Sequence, residues 1–116
     1  MVRQSMILGM MGLLCALPGC KNPYRDAVTE TVKQSHWGEL QECGRELEAR
    51  TPGQHGVVTV AIEVQPDGKV SRTGFGKGDD VKDEAMRECI RQKSLNWQLP
   101  ANTSGNPELI EIQFKL

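Results

Sequence analysis

The sequence predicts an α+β domain in the order helix, β-hairpin, helix, strand, with three antiparallel strands in one sheet and the helices on one of its faces. Three observations carry this. Gly56–Phe75 reads GVVTVAIEVQPDGKVSRTGF, in which Val58, Val60, Ile62 and Val64 fall on one face of a period-2 strand and Val57, Thr59, Ala61 and Glu63 on the other. Two stretches, one on each side of this segment, space their apolar residues at the 3.6 period of an amphipathic helix. The chain then closes on a strict alternation, Ile110, Ile112, Phe114 and Leu116 against Leu109, Glu111, Gln113 and Lys115, which implies a sheet covered on one side only.

A chain of 116 residues holds one domain at most. Its formal net charge of −1 leaves no basic footprint for nucleic acid. Aromatic residues make up 4% of the chain, so the core is thin and stands to gain from a covalent staple.

The first 20 residues, MVRQSMILGMMGLLCALPGC, are not expected to join the fold. Arg3 precedes an uncharged apolar run, Met6–Leu17, too short to span a bilayer comfortably but suited to a signal-peptide core. The run ends in Leu17-Pro18-Gly19-Cys20. This resembles a bacterial lipobox, with Pro18 where Ala, Ser or Thr is more usual. The resemblance implies cleavage after residue 19, a lipid on Cys20 and a membrane anchor through it. Lys21, in place of an Asp that would favour inner-membrane retention, points to the outer membrane. The expected location is the cell envelope, facing the periplasm. Residues 20–27 then form a lipid-anchored tether. About seven extended residues reach only some 25 Å, which holds the domain close to the lipid surface.

Ala27–Arg50 reads as the first helix, with Val28, Val32, Leu40, Cys43 and Leu47 on one face. Gly38 and Gly44 each weaken it by roughly 1 kcal/mol relative to alanine, so a break is expected near Gly38. Thr51-Pro52-Gly53 stops it. The turn Gln65-Pro66-Asp67-Gly68 combines a preset φ, a side chain that bonds its own backbone and a residue free to take positive φ, and Lys69–Thr73 returns as the second strand. The glycine-rich Gly74–Asp80 invites a nucleotide reading, but Asp79 stands where a dinucleotide fingerprint needs glycine, and no terminal Lys-Ser/Thr follows. It reads instead as a turn with an aspartate N-cap. Val81–Lys93 is the second helix, with Val81, Ala85 and Cys89 beside Met86 and Ile90. Acidic residues open it and Arg91 and Lys93 close it, as the helix dipole favours. Trp97 and Leu99 alternate in the link that Pro100 ends.

With Cys15 removed and Cys20 lipidated, Cys43 and Cys89 remain. An even pair in a small exported domain reads as a disulfide, and both cysteines lie on core-facing stripes that can meet across the sheet. Free buried thiols and a metal pair are the alternatives. No CxxC and no histidine at ligand spacing supports zinc, and no other cofactor is implied. A bridge would close a loop of about 47 residues, worth on the order of 4 kcal/mol in the chain-entropy model.

The order of elements, carried by Gly56-x-Val58-x-Val60, Pro66-Asp67-Gly68-x-Val70, a helix with Cys89, Trp97-x-Leu99-Pro100 and a closing alternating strand, resembles the TonB C-terminal-like superfamily. It is most similar to the AgmX/PglI C-terminal type domain of myxobacterial proteins, in which a helix ending in cysteine precedes the hairpin and a second cysteine sits in the later helix. Cys43 and Cys89 match that pair. The likeness covers about residues 28–116. It implies a periplasmic α+β module, and in TonB the sheet edge binds a partner's extended peptide. The chain departs from TonB in its cleavable lipoprotein signal, its short tether and Leu99 where phenylalanine is more frequent, so energy transduction from the inner membrane is not implied.

The function expected is therefore a non-catalytic protein- or peptide-binding module of the envelope, acting through the backbone of the last strand, with Leu109, Glu111, Gln113 and Lys115 as the partner-binding residues. The alternative is a structural subunit of an envelope or motility complex. An enzyme is the least favoured class, since His36 is expected near the surface of the first helix beside Trp37, His55 sits in a loop beside Gly53 and Gly56 with no flanking acid, and Ser35 and Ser71 lack a nucleophile-elbow context. Trp37 and Trp97 read as core or core-edge residues, and Arg87, Arg91 and Lys93 as a solvated helix face.

Overall fold

A computed structural model of the chain describes residues 22–116; the expected signal peptide and the expected lipidation at Cys20 lie outside the described residues. The elements are α1 (Pro23–Thr31), a π-helical turn (Val32–His36), α2 (Trp37–Arg50), β1 (Val57–Val64), β2 (Val70–Phe75), α3 (Glu84–Ser94) and β3 (Glu108–Lys115).

The first helix begins earlier than its apolar pattern. Asn22 caps it, its side-chain oxygen accepting from the Tyr24 and Arg25 backbone N–H groups, with Pro23 in the first turn. This is the usual start signal of a polar cap followed by proline. Tyr24 packs against the core, and its hydroxyl donates to the Pro100 carbonyl at 2.7 Å. Residues 23–27, given to the tether by the sequence reading, are therefore helical and tied to the domain. The weak point expected near Gly38 takes the form of the π-helical turn that ends one residue before Trp37, where one extra residue per turn rotates the following helix.

The sheet has the order β2-β1-β3. β1 pairs with β3 antiparallel over its whole length, from Val57 opposite Lys115 to Val64 opposite Glu108. Its pairing with β2 is also antiparallel and carries a bulge between Glu63 and Val64. In the hairpin turn Gly68 has φ +89° and its N–H donates to the Gln65 carbonyl. A side chain there would also run into the Leu99 carbonyl, whose own N–H donates back to the Gly68 carbonyl.

One face of the sheet is buried. Val58, Val60, Ile62 and Val64 meet Ile110, Ile112 and Phe114, and below them lie Val28, Val32, Leu40, Leu47, Met86, Ile90, Trp97 and Leu99. The opposite face carries Glu111, Gln113 and Lys115, all exposed. The α+β class, the three-stranded antiparallel sheet and the one-sided burial follow the sequence reading. Cys43 and Cys89 form a disulfide; it joins α2 to α3 on the helical side instead of crossing the sheet.

The aspartates after β2 serve differently than expected. Helix α3 starts at Glu84, and its cap is Asp83, which accepts from the Met86 N–H at 3.0 Å. Asp79 and Asp80 run beside the first half of β1. Asp79 Oδ2 accepts from the Thr59 N–H at 2.9 Å and Asp80 Oδ2 from the Val57 N–H at 3.2 Å. The Gly76 and Asp80 N–H groups donate to the Thr59 and Val57 carbonyls in return. β2 ends at Phe75, so these strand groups need other partners, and the loop supplies them.

Candidate functional site

β3 is an edge strand: it pairs with β1 and, among the described residues, with no other strand. The Leu116 N–H donates to the Gly56 carbonyl, which sets the phase of the ladder. Phe114, Ile112, Ile110 and Glu108 turn their backbone groups towards β1, and Leu109, Glu111, Gln113 and Lys115 turn theirs outward. The Gly76–Thr59 bond on the other side of β1 requires the same phase. The four residues expected to bind a partner thus share one outer edge and place their side chains on the uncovered face. The strand runs about 26 Å without proline or bulge. Leu109 is 68% exposed and lines a shallow depression of about 240 Å³ with Ala61, Glu63, Arg72, Thr73 and Gly74. Glu63 holds Arg72 at 3.0 Å. Hydrogen bonds from Arg72, and then from Ser71, keep the Glu63 carboxyl below the usual glutamate value.

The opposite outer strand, β2, has α3 and the link that follows it packed beside its side chains. Lys69 bridges to Gln98, the Thr73 hydroxyl bonds the Ser94 hydroxyl of α3, and the Phe75 ring has the Arg87 and Arg91 guanidinium groups each 5.3 Å from its centroid. Arg91 also pairs with Glu84 and Glu88, and Lys93 with Glu42. The basic side chains assigned to a solvated face therefore cover an aromatic ring and tie helices together. Their cation–π role depends on Phe75, which is remote in sequence.

The histidines lie in two different settings. His36 stacks on Trp97 with ring centroids 4.8 Å apart, and its Nδ1 lies 2.9 Å from Glu39 Oε2. Trp97 Nε1 donates to the other Glu39 oxygen at 2.9 Å. Burial pushes the Glu39 carboxyl up, but the hydrogen bonds from His36 and Trp97 outweigh it and hold the group below the usual range. The sequence reading missed this cluster; the spacing of His36 and Glu39 was its one local sign. His55 lines an open depression of about 380 Å³ with Gln41, Gly44, Arg45, Glu48, Gln54 and Leu116. Among the described residues, no group of three or more His, Cys, Asp or Glu side chains is placed to hold a metal ion. Trp97 is a core residue, whereas Trp37 is half-buried, edge-on to Phe114 of β3 at 6.1 Å.

No family model, no curated protein and no solved structure matches this chain.

Proposed function

We propose that this chain is an envelope lipoprotein, anchored through a lipid on Cys20 in the outer membrane and facing the periplasm, that acts as a non-catalytic protein- or peptide-binding module through the outer edge of β3. The observation that carries the reading is the asymmetry of the sheet. β2 is shorter, six residues, and has the Gln98 bridge at its start and Ser94 and the arginines of α3 packed on its side chains, while β3 offers eight regular residues whose outward N–H and C=O groups are free to take an added strand. The backbone of Leu109, Glu111, Gln113 and Lys115 supplies affinity, and their side chains supply selectivity. The resemblance to TonB C-terminal-like domains supports the same mode.

The test is photo-crosslinking in the native membrane from a photoreactive residue at Gln113, which is exposed and remote from the core. One dominant adduct, lost when Glu111 and Lys115 are also changed, is the expected result. Diffuse adducts from a folded domain would overturn the assignment of this edge and favour a structural subunit.

A further inference from the structure

A free strand edge accepts another strand only in a register where the facing side chains agree. The sequence of β3 restricts the choice. Glu111 and Lys115 lie equally far on either side of Gln113, are exposed, and form no ion pair among the described residues. All three residues turn their backbone groups outward, since the Leu116–Gly56 bond sets that phase. We propose that the occupant of this edge is a second copy of the chain, its β3 antiparallel to the first about a two-fold axis through Gln113, which joins two three-stranded sheets into one of six strands. The proposal rests on the reading of the β3 edge as a binding site and names its partner.

In this register Gln113 faces the second copy's Gln113, and Glu111 faces the second copy's Lys115 twice over, once on each side of the axis. The three outward residues form hydrogen-bonded pairs, giving about six new backbone bonds. On the covered face Ile112 stands beside the second copy's Phe114, and Ile110 beside its Leu116, so apolar residues meet apolar ones. The competing registers fit worse. A two-fold at Ile112 sets Glu111 against Gln113 and Leu109 against Lys115, with no opposite charges in register. A two-fold at Glu111 sets two carboxylates face to face, which is unfavourable. The absence of a bulge or proline in β3 leaves the edge regular enough to pair along its length, and the bulge of this sheet lies on the β2 side of β1.

The test uses the full chain in its membrane, with Gln113→Cys and Leu109→Cys compared under mild oxidation. The axis brings the two Gln113 Cα atoms to about 5.5 Å, within disulfide reach, while the two Leu109 positions stand about 26 Å apart. The expected result is a covalent dimer from Gln113→Cys and none from Leu109→Cys. Adding Lys115→Glu to Gln113→Cys should cut the yield about tenfold, and adding Glu111→Lys as well should restore it. All these positions are exposed, and a thermal melt confirms that each variant folds. Equal dimer from both cysteine positions, or no rescue by the double charge exchange, overturns the two-fold at Gln113. Photo-crosslinks from Gln113 to a different protein alone overturn self-pairing and leave the β3 edge as a binding site. A lack of any specific adduct from Gln113 overturns both.

Discussion

Reducing the Cys43–Cys89 bridge, or replacing both cysteines with alanine, removes the covalent tie between α2 and α3. The two residues are 46 apart in sequence with Cα atoms 5.8 Å apart, and Cys43 is fully buried. Closing a loop of about 47 residues in the unfolded chain costs on the order of 4 kcal/mol in the chain-entropy model, and native bridges in small exported domains are typically worth about 2–5 kcal/mol. Little else substitutes for it. The ion pairs Lys93–Glu42, at 3.4 Å, and Arg50–Asp83, at 3.0 Å, also join these two helical regions, but they reach water, and such pairs contribute about 0–1 kcal/mol each. At roughly 4–8 °C per kcal/mol for a domain of this size, the midpoint should fall by on the order of 10–40 °C. The assay is a circular-dichroism melt of the protein with and without reductant, alongside Cys43→Ala/Cys89→Ala. A urea titration adds a second reading, since the slope should rise as the unfolded chain loses its crosslink. A fall of less than about 3 °C, with an unchanged slope, would refute the claim that this thin core depends on its staple.

Asp79 is 8% exposed and accepts from the Thr59 N–H; Asp79→Ala orphans a buried donor and should cost about 1–3 kcal/mol in a urea titration, whereas Asp79→Asn keeps an acceptor and should cost less. Equal losses from the two would show that the carboxylate charge, and not the hydrogen bond, matters. Asp83 is held below the usual aspartate range, chiefly by the Met86 N–H, while partial burial opposes the shift and Arg50 adds to it. A depressed folded value means that its contribution is fully present above the unfolded pKa, about 3.9, and is lost as pH falls through the folded value. Asp83→Asn retains a capping side chain and should flatten the acid limb of the stability–pH curve; identical acid limbs for both proteins would count against this assignment.

Much of the architecture was legible because it rests on short-range periodicity. The alternations in Val57–Val64 and Glu108–Lys115 and the stripe through Cys43 record which face meets the core, and the inward residues of β1 and β3 are buried as that pattern requires; Thr59, on the outer face, is buried too, and Ala85, on the row through Cys89, is exposed. The disulfide was legible from parity and from the faces on which both cysteines lie. The start of α1 was misplaced because the apolar pattern begins at Val28, while the signal that sets the boundary is the cap Asn22-Pro23, which carries no periodicity. The roles of Asp79 and Asp80 were misread because a carboxylate near a helix start resembles a cap, and nothing local announces that β1 lacks partners beyond Phe75.

The sequence by itself determined the class, the strands and their inward faces, the hairpin turn and the cysteine pair, since each depends on residues a few positions apart or on a simple count. The tertiary structure decided the strand order β2-β1-β3, and with it which outer strand has Ser94 and the arginines over Phe75 packed beside it and which runs clear at Leu109–Lys115. Either outer strand can supply outward hydrogen-bonding groups, and the length of β3 and the packing of α3 beside β2 separate the two. That long-range choice leaves no periodic trace in the chain.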